Sequence, residues 1–153
     1  AASLELRPEA VKGLVIRPRL SLTWLTEREN GDAAQVAMIG DTTLPNTPEY
    51  SLGYGVDFGY EAWGINAGVN AVTSSDILTS DWRLDSPTSG RYIEAGSGTV
   101  VNISLDKKLY AFAERGKISL RFEANNIFDG DNESYLDYPR PGRNFYAGLR
   151  YEF

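Results

Sequence analysis

The side chains able to do chemistry are few in kind. The sequence carries 21 Asp and Glu and 15 Lys and Arg, but neither histidine nor cysteine. Without histidine, a Ser-His-Asp triad and a Cys-His dyad are impossible, and the commonest general base and metal ligand are missing. Without cysteine there is no disulfide framework and no thiolate metal site. Carboxylates remain. Asp129-Gly130-Asp131-Asn132-Glu133 spaces oxygen ligands in a way suggestive of calcium, yet lacks the remaining ligands of a full loop. We read it as a solvated acidic loop, and read Glu27, Glu29, Asp32 and Asp41 the same way. No G-x-x-x-x-G-K-[ST] run follows a strand, and Pro141-Gly142 is a turn signal. No carboxylate pair is singled out by spacing. The expectation is a protein that is not an enzyme and holds no metal or cofactor.

The elements that would position these groups alternate with period two. In Tyr50–Tyr60 the even positions are all aromatic or aliphatic, and the odd ones are Ser51, Gly53, Gly55, Asp57 and Gly59. A helix would scatter that pattern around its axis. Trp63–Thr73 repeats it, and the link Glu61–Ala62 predicts a tight hairpin. Leu14–Thr26 alternates with Pro18 inside it, which predicts a bulge or distortion there. Tyr92–Leu105, Lys117–Ala124, Phe145–Phe153 and a short Ser3–Arg7 complete about seven strands, with no convincing helix. Short connections (8–13, 61–62, 110–116) alternate with long ones (27–48, 74–91, 127–143), as in an antiparallel up-and-down meander. The fold class expected is therefore all-β, in one unit spanning residues 1–153.

Alternation alone leaves open which face meets water. The chain has 42% hydrophobic residues and no run near the ~20 apolar residues of a membrane helix. No charged n-region followed by an apolar core opens it, so no signal peptide is expected. Two features favour a membrane barrel over a soluble, lipocalin-like barrel or sandwich. The polar faces are rich in Gly, Asn and Ser rather than Lys and Glu. The aromatics Trp24, Tyr50, Tyr60, Trp63, Phe145, Tyr151 and Phe153 sit near strand ends, where headgroups would lie. By parity, Arg17, Arg19, Asp57, Asn66, Asn70, Asn102, Asp106, Arg121, Glu123 and Arg150 would face a lumen. Most should pair with one another across strands. The net charge of −6 speaks against nucleic acid as a partner.

The last residues carry a resemblance. Phe153 ends an alternating strand, with Tyr151 on the same face and Gly148 five residues before it. This is similar to the C-terminal signal that the barrel-assembly machinery recognises in bacterial outer-membrane proteins. Asn126-Ile127-Phe128-Asp129, followed by Tyr138-Pro139-Arg140-Pro141-Gly142-Arg143-Asn144-Phe145 and the final strand, resembles the end of a TonB-dependent outer-membrane receptor, with Ile127 where Leu is usual. Leu44-Pro45-Asn46-Thr47-Pro48 resembles the start of an earlier strand of the same barrels. The resemblance implies a barrel of about 22 strands with an N-terminal plug and a TonB box. It also implies location in the outer membrane of a Gram-negative bacterium. The function implied is energy-coupled uptake of a scarce small-molecule nutrient: an iron-siderophore complex, haem, cobalamin or a carbohydrate. Neither plug nor TonB box is visible here, so a C-terminal portion of a larger receptor is the reading adopted. Its expected partners are outer-membrane lipid, the barrel-assembly machinery and the TonB complex acting through a plug. A small independent outer-membrane barrel (porin or adhesin) and a soluble barrel binding an apolar ligand are the alternatives.

Overall fold

The computed structural model describes residues 2–112, 116–130 and 141–153. The chain is mostly antiparallel β-sheet. Its strands are β1 (Ala2–Ser3), β2 (Leu14–Trp24), β3 (Tyr50–Tyr60), β4 (Ile65–Ser74), β5 (Ile77–Ser80), β6 (Tyr92–Ala95), β7 (Gly98–Phe112), β8 (Gly116–Asn125) and β9 (Asn144–Glu152). One seven-stranded sheet has the order β1-β2-β3-β4-β7-β8-β9, and β5 and β6 form a separate hairpin. The main sheet is thus a meander with one hairpin inserted between β4 and β7. Among the described residues it is open: β1 and β9 are its edges, and no ladder joins them.

The registers carry each parity across the whole sheet. The row Ile16–Phe58–Ala67–Leu105–Phe122–Ala147 is entirely apolar, and so is Pro18–Val56–Val69–Ile103–Ala124–Phe145. Between them, on the other face, runs Arg17–Asp57–Gly68–Ser104–Glu123–Tyr146. Among the described residues, the apolar face is not packed against a second layer. Leu20, Leu22, Trp24, Tyr54, Phe58, Val69, Leu105, Leu120, Phe122, Phe145, Leu149 and Tyr151 are all exposed there. Among the described residues the buried hydrophobic side chains are Ala71, Ile77 and Ala124, too little to be the core of a two-layer domain.

Five expectations need correction. Tyr92–Leu105 is not one strand: the chain breaks at Gly96, whose φ is 87°, so β6 pairs with β5 while β7 joins the main sheet and runs on to Phe112. Residues 113–115 of the predicted 110–116 connection lie outside the described residues. Pro18 causes no bulge. The β2–β3 register runs through Pro18–Val56 unbroken, because even-numbered β2 residues turn their backbone groups towards β1: Leu4 N donates to Pro18 O, and Leu6 and Ile16 exchange two hydrogen bonds. The missing donor therefore falls on the sparsely paired side. The irregularity lies instead in β7, where Lys108 pairs with Ser119 and Tyr110 with Ile118, leaving Leu109 as an extra residue.

A helix does form. Helix α1 (Ala33–Ile39) sits in the first long connection, capped by the Asp32 carboxylate, which accepts from the backbone N–H of Ala34 and Gln35, and closed by Gly40 at φ 76°. Its seven residues, about two turns, are too few to show a clear helical period. Among the described residues, no helix is long and apolar enough to cross a membrane. The predicted first strand is reduced to β1 plus an isolated bridge, Leu6–Ile16. The β3–β4 link is a 3-10 turn over Glu61–Trp63, so β4 begins at Ile65 rather than Trp63. Gly64 closes that turn at φ 58°, and a Cβ there would lie 2.8 Å from Lys108 Cβ. Only glycine satisfies both demands.

Candidate functional site

The polar face gathers the residues that parity singles out. Arg19 lies in the row Arg19–Gly55–Asn70–Asn102, and Asn66 in the row Gly59–Asn66–Asp106–Arg121–Gly148. Arg17, Asp57 and Glu123 share the row described above, and Arg150 stands opposite Ser119. All ten are on one side of the sheet. Two adjoining depressions of about 540 and 310 Å³ lie on this side, sharing Arg17, Asn66 and Asp106 in their walls.

Within the face, charge is largely matched locally. Arg19 Nη2 donates to Asp57 Oδ1 at 2.9 Å, Arg17 Nε to Glu5 Oε2 at 2.7 Å, and Arg121 to Glu123 at 2.6 Å. Lys117 and Arg150 both pair with Glu152, at 2.7 and 3.0 Å. These pairs are partly exposed, so solvent screens them and each contributes little in water. They set the character of the surface more than the stability of the sheet. Gly68 makes the centre possible: a Cβ there would lie 2.7 Å from Asp57 Oδ1 and 3.0 Å from Ser104 Oγ. The structure does not bring all ten into one cluster. Arg17, Asp57, Asn66, Asp106 and Arg121 line the smaller depression together, whereas Glu123 and Arg150, on β8 and β9, lie outside it.

Asparagines fasten this face to the long-connection end. Asn102 Nδ2 donates to Asn70 Oδ1 at 3.0 Å, and Asn102 Oδ1 accepts from Asn126 N at 3.0 Å. Asn126, nearly buried at φ 49°, exchanges two side-chain bonds with the Gly130 backbone, at 3.0 and 2.9 Å. Asp129 Oδ1 accepts from Arg143 N at 2.7 Å. Asn126-Ile127-Phe128-Asp129 is therefore a turn that ties the end of β8 to the start of β9. The acidic run beginning at Asp129 continues into residues 131–140, outside the described residues. Among the described residues, no group of three carboxylates is placed to hold a metal ion.

Sequence reasoning missed Asp81. It is fully buried and closes the β5–β6 loop. Its carboxylate accepts from Arg83 Nε at 3.0 Å, from Arg83 N at 3.1 Å, and from the hydroxyls of Ser86 and Thr88, while Gly90 N donates to its carbonyl at 2.7 Å. The Arg83 guanidinium first, then the two hydroxyls, hold this carboxyl well below the usual carboxylate range. The available signal was Asp81-x-Arg83-x-x-Ser86-x-Thr88, an acid followed by donors at loop spacing. The knot leaves Trp82 and Leu84 exposed at its tip.

The connections 25–49, 75–97 and 126–143 all leave and rejoin the main sheet at one end. They hold thirteen acidic and five basic residues, so this end repels polyanions. The aromatics assigned to strand ends fall at both ends: Trp24 opposite Tyr50 by the long connections, and Tyr60, Trp63 and Tyr151 by the short turns. Phe153 is wholly exposed, 6.1 Å from the Tyr151 ring centroid, and Gly148 has no atom within 4 Å of where a Cβ would sit. No protein-family model, curated protein or solved structure matches the chain.

Proposed function

We propose that this chain is part of the wall of a transmembrane β-barrel, the C-terminal portion of a TonB-dependent receptor in the outer membrane of a Gram-negative bacterium. The observation that carries the reading is the exposed apolar face, continuous over the six longer strands of the sheet and opposed by a polar face. In water such a surface far exceeds the few hundred Å² that a soluble monomer exposes. In lipid it is the surface required. The eleven residues of β2 and of β3 extend about 36 Å, and a tilt of about 45° projects this onto about 25 Å, the height of an outer-membrane apolar band. The depressions on the polar side suit a hydrated lumen better than an apolar ligand pocket. Two edges unpaired among the described residues suit a segment of a larger barrel better than a porin or adhesin complete in itself, since an open edge in lipid leaves backbone groups unsatisfied.

In this reading the polar face lines the conduit. The three long connections help to capture a scarce nutrient such as an iron-siderophore complex, haem, cobalamin or a carbohydrate. Transport energy would come from the TonB complex through a plug, so the wall alone should not transport. Gly148, Tyr151 and Phe153 would present the last strand to the barrel-assembly machinery. Spin labels along β3 test the premise. Labels at Leu52, Val56 and Phe58 should contact lipid, and those at Gly53, Gly55 and Asp57 should contact water. Water at all of the first set would end the membrane reading.

A further inference from the structure

Among the described residues, the apolar face of the main sheet carries a single formal charge, Lys107. It lies in the row Leu14–Tyr60–Ile65–Lys107–Leu120–Leu149, the last apolar row shared by β2 through β9 before the short turns. Its ammonium donates to the Trp63 carbonyl. Trp63 is 65% exposed and meets Tyr60 edge-on, with ring centroids 5.3 Å apart. An ammonium has three N–H donors. One is used by Trp63, and no carboxylate among the described residues pairs with Lys107.

A lone cation in an apolar row is costly unless its head reaches a polar layer while its stem stays on the apolar surface. Tryptophan and tyrosine favour that same level, where hydrocarbon gives way to headgroups. We infer that Lys107, Trp63 and Tyr60 form a contact site for the phosphate of an anionic phospholipid at the short-turn boundary of the apolar face. The inference rests on the membrane reading above. The flanking Ile65 and Leu120 accommodate an acyl chain, which is why a lipid fits here and free phosphate does not.

The full 153-residue chain, reconstituted in phosphatidylcholine vesicles with and without phosphatidylglycerol, provides the test. Quenching of tryptophan by brominated acyl chains reports insertion, and the bound fraction reports headgroup preference. Phosphatidylglycerol should strengthen binding of the unaltered chain. Lys107→Gln should lose about fivefold of that gain, the effect of one basic residue at an anionic surface. Lys107→Arg, which keeps the charge, should retain it. Lys108→Gln should also retain it, because Lys108 lies on the polar face opposite Ser119. Inorganic phosphate added to phosphatidylcholine vesicles should change nothing. An unaltered preference in Lys107→Gln, an equal loss in Lys108→Gln or Lys107→Arg, or competition by inorganic phosphate would overturn the site while leaving the membrane reading intact. Absence of quenching in every vesicle, together with water contact at Leu52, Val56 and Phe58 in the spin-label test, would overturn both.

Discussion

Placing a charge at one depth on opposite faces separates lipid from water. Val69 lies midway along β4 on the apolar face, 39% exposed and opposite Val56 and Ile103. Ser104, one residue along from Ile103, lies on the polar face opposite Gly68 and Glu123. Four residues separate Val69 from Ile65 at the strand end, about 13 Å of chain and about 10 Å of depth after tilt, close to the middle of a 25 Å band. Arginine at the midplane of a lipid-facing strand costs about 2–4 kcal/mol, whereas a substitution at a partly exposed position in water costs within about 0.5 kcal/mol. Val69→Arg should therefore reduce the folding equilibrium in lipid by about thirtyfold to a thousandfold. Ser104→Arg, which gains Glu123 as a cross-strand partner, should change it less than about threefold. Reversible urea unfolding of both variants in the same vesicles, followed by tryptophan emission, gives the two values. Equal costs, or a Val69→Arg cost below about 0.5 kcal/mol, would refute the assignment of faces.

Asp81→Ala should open the β5–β6 loop, read as faster hydrogen exchange at the Arg83 and Gly90 amides with the main sheet unaffected. Because the Asp81 carboxyl is held below its ordinary range, its contribution is full above about pH 3.9 and is lost only as pH falls through the lower folded value. Exchange at these amides, corrected for intrinsic rates, should therefore match at pH 5 and pH 7. Asn126→Ala removes two hydrogen bonds and leaves a left-handed backbone without its favoured residue, a loss of about 2–3 kcal/mol by denaturant unfolding. Phe153→Ser, made in the complete receptor, should lower the amount reaching the outer membrane, measured by surface labelling; normal abundance with lost uptake would show the residue to act otherwise.

The sheet was legible because its physics is local. Alternation in Tyr50–Tyr60 and Lys117–Ala124 dictates both strand and face, and registers that pair like faces follow once one face must be apolar throughout. Pro18 misled because its effect depends on which neighbour its nitrogen would have addressed, a tertiary property. The division at Gly96 was hidden because alternation continues on both sides of it, and only the positive φ breaks the strand. At the site, parity was enough to place Arg17 through Arg150 on one face, but not to say which would pair. Arg17 sits opposite Asp57 yet bonds Glu5, while Arg19 takes Asp57 on the diagonal. Asp81 was illegible because its role is made entirely by a loop's closure on itself.

The extra residue in β7 has a consequence for how this chain tolerates length change. In the regular ladder of β7 on the N-terminal side, removing one residue exchanges the two faces from that point to the irregularity, sending Lys108 or Asp106 into the apolar row and an apolar neighbour out of it. Leu109 is the exception. With it gone, Lys108 and Tyr110 become consecutive and still fall opposite Ser119 and Ile118, each on the face it already occupies. The strand thus carries a spare phase step near its short-turn end. Single-residue deletions across β7 should be silent at Leu109 and disruptive in the regular ladder on its N-terminal side.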